Sequence, residues 1–275
     1  MTDKTHKFLS LGAGVQSSTI FLMCCYGELE PIDAAVFADT MWEPKVVYKW
    51  LDFLISEGNK HGIKIHKVQS GNIRDDALIS QVRGIKSKGQ RKWMAMPLFT
   101  DNPDGSVGMI RRQCTSEYKI RPLEKKFRLL AGYKKYQRIP PGSIEVWKGI
   151  SMDEANRASI SDKKWITFYY PLIEKRMRRS DCRYWFTKRG LPQPPRSACL
   201  GCTYRSNREW RKIRDESPDE WRDVVAFDKA IRKCGGKRSD VFLHHDRIPL
   251  DEVNLDRDSS QLSLFSDECM GVCGV

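Results

Sequence analysis

Nine cysteines stand in this 275-residue chain, and five of them have spacing or neighbours that suit chemistry. Cys199-Leu200-Gly201-Cys202 is a C-x-x-C turn with a glycine between the thiols, entered through Pro194-Pro195. Two thiolates three residues apart on a tight turn can grip one metal or one cluster. Cys114 follows Arg111 and Arg112, cations that favour the thiolate, and is a candidate third ligand. Cys269 and Cys273, in the stretch ECMGVCGV, offer a fourth. Spacing leaves four readings open: an iron–sulfur cluster, a structural zinc, a redox dithiol, or thiols with no joint role. Zinc and iron–sulfur stand level. A bare dithiol ranks lower, because the turn does not follow the first strand of a thioredoxin-like pattern. Cys24 and Cys25, among apolar neighbours, read as buried and unreactive, and Cys182 and Cys234 read as packing residues.

A second constellation is KFLSLGAGVQSST, Lys7 to Thr19. Gly12, Ala13 and Gly14 follow an apolar strand, then come Gln16 and the hydroxyls of Ser17, Ser18 and Thr19, then an apolar run that suits a helix. A strand, a small-residue turn and a helix start make an anion cradle: the backbone can approach closely, and the free N–H groups of the helix hold phosphate. The same pattern also describes an ordinary strand-to-helix turn, where glycine is common.

These residues need elements to hold them. Helix over Ser17–Tyr26 is followed by the apolar run Ala34–Ala38, a strand buried on both faces that ends at Asp39. Asp39 thereby falls at a strand's C-terminal edge, where α/β folds bind ligands. Val46–Ile55 reads as an amphipathic helix and Ile63–Val68 as an alternating strand. The order β-α-β-α-β predicts a parallel sheet with right-handed crossovers. Residues 84–113 have no apolar period and read as a long irregular loop, in which Trp93, Met94 and Met96 either stack on bases or pin the loop to the core. Further on, Glu117–Leu130 reads as helix, Ile144–Ile150 and Trp165–Ile173 as strands, and Asp181–Lys188 as a short helix. Ser206-Asn207-Arg208-Glu209 and Ser217-Pro218-Asp219-Glu220 both fit capping boxes and predict helices over 207–216 and 218–233. From Asp251 onward the chain reads as a polar, extended tail. The fold class is thus α/β, a parallel sheet flanked by helices, with a mainly helical cysteine-bearing C-terminal part. The domains expected are 1–160 for the sheet and 161–275 for the helical region.

Composition sets the class of partner. Apolar residues make up 40% and charged residues 30%, and no apolar run reaches membrane-spanning length. The N-terminus carries no signal-peptide pattern, which places the chain in the cytoplasm with no membrane partner. An odd cysteine count there argues against a disulfide scaffold. The formal charge of +13 is uneven. Residues 74–138 hold sixteen Lys/Arg against six Asp/Glu, residues 163–214 fifteen against three, and residues 215–275 eight against fourteen. Basic clusters gain counterion-release free energy on phosphates, so nucleic acid is the partner favoured by charge. A solvated basic face and a pocket for a small nucleotide are the other readings.

Taken in order, the segments resemble the phosphoadenosine-phosphosulfate (PAPS) reductase family of the adenine-nucleotide alpha-hydrolase superfamily, whose fold is HUP-like with a PP-loop. GAGVQSS at 12–18 resembles the family's Ser-Gly-Gly-x-Asp-Ser phosphate loop, with Gln16 in place of the aspartate. FADT at 37–40 with Glu43-Pro44 resembles its second-strand motif beside the adenosine. CTSEYKIRPL at 114–123 resembles its Cys-Cys-x-x-Arg-Lys-x-x-Pro-Leu segment, with Thr115 replacing the second cysteine. GISMDEANR at 149–157 is similar to Gly-Ile-x-x-x-Glu-Ser-x-x-Arg and matches it at Gly149 and Glu154, with Arg157 one place before the pattern's arginine. Cys199 and Cys202 match the later C-x-x-C, and Glu268-Cys269 is similar to a terminal Glu-Cys-Gly.

The resemblance implies an ATP or adenylyl-sulfate site formed by Gly12, Ala13, Gly14, Gln16, Ser17, Ser18, Asp39, Gly149 and Glu154, with Mg2+ accompanying ATP. It implies a [4Fe-4S] cluster on Cys114, Cys199 and Cys202, closed by Cys273 or Cys269, with zinc as the alternative. Relatives of this kind include ATP-using enzymes that thiolate tRNA or install DNA phosphorothioates. The expected function is therefore an AMP-forming sulfurtransferase on nucleic acid, with Arg157, Cys269 and Cys273 catalytic, Lys119 and Arg121 neutralising developing charge, and a sulfur-donor protein as partner. The alternatives are a sulfonucleotide reductase that uses a C-terminal cysteine and a thioredoxin-like reductant, and a non-catalytic zinc-stabilised nucleic-acid binder.

Overall fold

The computed structural model describes residues 5–80, 94–101, 105–233 and 240–257. The first element is β1, His6–Leu11, which leads through Gly12-Ala13-Gly14 into helix α1, Val15–Cys25. Every residue of α1 is buried, which explains why its sequence is apolar rather than amphipathic. Strand β2, Ala34–Asp39, is buried along its whole length. Helix α2, Lys45–Lys60, turns Val47, Trp50, Leu51 and Leu54 inward, and β3 follows at Ile65–Gln69. Helix α3 is Ile73–Ser80. Two three-residue strands, β4 (Phe99–Asp101) and β5 (Val107–Met109), come next. A π-helical turn, Thr115–Ile120, runs straight into α4, Arg121–Leu130. Then come β6 (Ile144–Lys148), a 3-10 turn (Met152–Arg157), β7 (Ile166–Tyr169) and the short α5, Pro171–Glu174. Helices α6 (Arg179–Lys188), α7 (Asn207–Glu216) and α8 (Pro218–Ile231) precede the last strand, β8, Asp240–Phe242.

Five strands form one parallel sheet in the order β3-β2-β1-β6-β7. The α/β class with helices on both faces stands as the sequence implied. Helix α1 covers one face, packed between α2 and α6, and buries Leu9, Leu11, Phe37 and Trp147 with Ile20, Phe21 and Leu22. Each such side chain contributes about 1.5–3 kcal/mol by leaving water. Helix α4 covers the other face, where Leu123 and Phe127 meet Phe8, Val36 and Val146. The strand order reverses between β1 and β6, the position where open α/β sheets hold their ligands.

The boundary expected at residue 160 falls between β6 and β7 of a single sheet. A second core joins Trp42, Ile73 and Tyr118 to Leu200, Trp210, Phe227 and Val241, so early and late segments share it. Part of the irregular stretch is strand: β4 pairs with β5 and with β8 in a small antiparallel sheet. Pairs three residues long leave no alternation to read. Ala95 and Met96 are buried, so this part of the loop is pinned to the core, while Trp93 lies outside the described residues. The start of the expected tail is packed as well, with Leu250, Val253 and Leu255 buried.

Candidate functional site

The loop after β1 is held from three sides. The Gly12 N–H donates to Ser17 Oγ at 3.1 Å, and the Ser197 hydroxyl donates to the Gly12 carbonyl. Ala13 takes the left-handed backbone at φ +58°, the conformation that usually asks for glycine. Gly14 caps α1 in an extended conformation with no side chain on the helix's first N–H groups. An uncapped helix N-terminus behind a small-residue turn presents free donors and a positive dipole end, the requirements of an anion site. Ser18 does not take part in the way the sequence implied. Its hydroxyl accepts from Trp50 Nε1 at 2.9 Å, and its N–H donates to Gly14 O. It ties α1 to α2 instead of facing the loop.

Gly149, just past β6, meets the first turn of α1 edge-on. A Cβ there would stand 2.7 Å from the Ser17 N and 3.0 Å from its Cα, so the glycine allows the sheet to approach the helix start. Gln16, fully buried, reaches across this junction. Its Nε2 donates to Glu154 Oε2 at 3.2 Å and to Ser151 Oγ at 3.3 Å, while Oε1 has no partner. Glu154 also accepts from Arg157 at 3.0 Å. Burial pushes the Glu154 carboxyl up, against the opposing pull of Arg157 and Arg179. A carboxylate at position 16 would face another carboxylate. An amide fits here because it donates.

Asp39 closes β2. Its Oδ1 accepts from Met41 N at 2.7 Å and from the Tyr48 hydroxyl at 2.8 Å, which fixes the turn after the strand. Burial and this carboxylate raise the Tyr48 phenol, so it stays a donor. The same turn carries Thr40 and Glu43 to the cysteines. Thr40 Oγ1 lies 3.2 Å from Cys199 Sγ and donates to Glu43 Oε1 at 2.9 Å, and Cys199 Sγ lies 3.6 Å from that oxygen. Glu43 Oε2 is buried with no partner.

One cavity is lined by Cys114, Cys199 and Cys202, together with Thr40, Arg112 and Lys119. The three cysteines singled out in the sequence are therefore brought together from segments far apart in the chain. Burial and Glu43 push the Cys199 thiol well up, with Lys119 opposing. Loading a metal there releases a proton, because thiolate is the ligand. Four thiolates on one zinc stand ~3.8 Å apart by tetrahedral geometry. Among the described residues, the set of three ligand atoms within 4.8 Å of one another is that of His244, His245 and Asp246. Cys269 and Cys273 lie outside the described residues.

The histidine set is a poor metal site. His244 Nε2 pairs with Asn207 Oδ1 at 2.8 Å, and Nδ1 accepts from Asp246 N at 3.1 Å, so both ring nitrogens are committed. Burial, helped by His245, pushes this imidazole down to about 4, keeping it neutral.

The second cavity opens at the ends of β1 and β2, against Ser10, Gly12, Ala38, Leu123 and Ser197. Lys119 and Glu43 line it too, so both residues stand between the two cavities. Lys119 is buried and sits on the π-helical turn, a distortion frequent at functional sites.

Sequence reading passed over several residues that build this arrangement. Arg205, buried beneath the C-x-x-C turn, donates to the carbonyls of Ala198, Cys199 and Leu200 at 3.0, 2.8 and 3.1 Å. Burial pushes its guanidinium down to about 10, with Cys202, Cys199 and Glu43 opposing. Gly201 is required by Trp42, whose ring carbons would lie 2.3 Å from an added Cβ, and Leu200 N donates to Trp42 O at 2.7 Å. Only the C-x-x-C spacing hinted at this packing. Cys24 and Cys25 behave as read: burial pushes both thiols up to about 12. Cys182 is fully buried, and Cys234 lies outside the described residues. No helix among the described residues is long and apolar enough to cross a membrane. Comparison with protein-family models and with curated proteins gave no match.

Proposed function

We propose that this protein is an ATP-using, AMP-forming sulfurtransferase that acts on nucleic acid, of the tRNA-thiolating or DNA-phosphorothioating kind. The observation that carries this reading is the shared wall: Lys119 and Glu43 line both the cavity of Cys114, Cys199 and Cys202 and the cavity at the loop after β1. An activated acceptor at the loop and a sulfur at the cysteines would be neighbours.

In this reading the acceptor oxygen, on a base carbonyl or a phosphate, attacks the α-phosphorus of ATP, and pyrophosphate leaves. A hydrosulfide-level sulfur nucleophile then attacks the acceptor atom, and AMP departs with the oxygen. The uncapped start of α1 and the backbone of Gly12, Ala13 and Gly14 hold the phosphates, with Mg2+ as counterion. Gln16 and Glu154 brace the loop, Asp39 fixes the turn beside the adenosine, and Arg157 and Lys119 neutralise charge on the leaving groups. Cys114, Cys199 and Cys202 would hold a [4Fe-4S] cluster, whose fourth iron would be held by Cys273 or Cys269 or left open to bind hydrosulfide. When bound, such a cluster supplies iron to which sulfur can be attached.

Anaerobically purified protein should contain about four iron and four acid-labile sulfide per chain, and lose both on Cys114→Ser or Cys199→Ser. It should release pyrophosphate from ATP faster when tRNA or DNA is added. Stoichiometric zinc without sulfide, and nucleic-acid binding without turnover, would favour the zinc-stabilised binder. Sulfite release from adenylyl sulfate, lost on Cys269→Ser, would favour the reductase.

A further inference from the structure

The cations of this chain do not all face the site, and the fold separates them. Helix α4 starts just after Lys119, which stands beside the cysteine cavity, and runs to the opposite end of the strands. The cluster Lys134, Lys135 and Arg138 therefore sits where β6 begins, with Tyr136 exposed among them. In α7, α8 and the segment after β8, Arg211, Arg214, Arg222 and Lys229 pair with Asp256, Asp215, Asp219 and Asp251. The turn between α5 and α6 holds cations that, like Lys134, Lys135 and Arg138, stand outside these pairs. Lys175, Arg176 and Arg178 are exposed there and form no ion pair with the described residues.

This turn is fixed to the site. Met152 N donates to Met177 O at 2.9 Å, and Arg179 N donates to Asp153 Oδ1 at 3.1 Å, so it rests on the 3-10 turn that presents Glu154 to Gln16. Arg176 ends the short helix α5. Arg176 N donates to Ile173 O and Met177 N to Leu172 O, a helix-ending motif whose left-handed position normally holds glycine. Arginine occupies it here at φ +53°. This backbone costs a non-glycine residue about 1 kcal/mol, at Arg176 as at the exposed Tyr136 with φ +68°.

We infer that Lys175, Arg176 and Arg178 form the surface that takes the phosphate backbone of a single-stranded nucleic-acid segment and lays it beside the loop after β1. The inference rests on the sulfurtransferase reading for what happens to the strand. Exposed cations on a rigid turn supply phosphate contacts that position a strand without reading its sequence. The rival cluster at Lys134, Lys135 and Arg138 lies at the wrong end of the strands to bring an acceptor to either cavity.

The test is binding of a fluorescent single-stranded oligodeoxynucleotide to the full chain across a salt series. For the triple variant Lys175→Ala, Arg176→Gly and Arg178→Ala, the slope of log affinity against log salt should become shallower by about 2, at −0.7 per lost contact. The matched variant Lys134→Ala, Lys135→Ala and Arg138→Ala should keep the wild-type slope. Arg176→Gly alone should weaken binding while its melting temperature stays level or rises, because glycine relieves the left-handed backbone. Equal loss in the two triple variants, or an unchanged slope in the first, overturns the assignment. The two ideas fail separately. Pyrophosphate release stimulated by nucleic acid, with a normal slope in the first variant, removes this surface and leaves the enzyme. Patch-dependent binding without nucleotide turnover keeps the surface and removes the enzyme.

Discussion

Gln16 is a buried amide whose contacts explain why a carboxylate would not serve in its place. Its Nε2 serves Glu154 and Ser151 in a fully buried junction. Gln16→Glu is nearly isosteric and would bring two carboxylates to hydrogen-bond distance, where both cannot ionise cheaply. The variant should lose about 1–3 kcal/mol at pH 8. Such a carboxyl is raised in the folded state, so the penalty shrinks as pH falls through its raised value. Urea midpoints at pH 8 and pH 5 check both magnitude and sign. His244 gives the opposite dependence. Its folded value near 4 lies below the ordinary 6.5, so the native state binds fewer protons than the unfolded chain. Stability from this group is complete above pH 6.5 and is lost between 6.5 and 4, by up to about 3 kcal/mol. Urea titration of wild type against His244→Gln should show a steeper acid loss in the wild type over that window.

Among the elements, two glycines act as joints, each for a different cavity. Gly149 lets the end of β6 touch the start of α1, and Gly201 lets the C-x-x-C turn lie on Trp42. Alanine at either place meets atoms under 3.0 Å away, which makes displacement unavoidable. Each change should cost about 1–3 kcal/mol or more. The readouts should separate: Gly149→Ala weakens adenine-nucleotide binding with metal content retained, and Gly201→Ala loses metal while nucleotide binding persists. Isothermal titration and metal analysis on both variants check this. The sequence made the sheet elements legible, because apolar runs and glycine turns are local. The helix starts were legible in part. Ser206 forms its capping box with Glu209, whose Oε2 accepts from Ser206 N at 2.9 Å. At Ser217 the expected box is absent, since Glu220 Oε1 instead accepts from Lys45 N at the start of α2. A tertiary demand overrode a local signal. Strands β4, β5 and β8 were illegible because each is only three residues long, and β8 pairs with β4 from far along the chain.

At the scale of the whole molecule, the parallel sheet and the second core meet at one edge, and there the two cavities share Lys119 and Glu43. The convergence of Cys114 with Cys199 and Cys202 was foreseeable from motif order. The roles of Arg205, Trp42 and Ser197 were not, because each acts through contacts across the fold. The central claim is that ATP activates an acceptor at one cavity for sulfur held at the other. Its most direct measurement is incorporation of labelled sulfide into nucleic acid by the anaerobic protein, with and without ATP. The account predicts incorporation that requires ATP and matches the AMP formed one for one. Absence of incorporation, or the same incorporation without ATP, contradicts it.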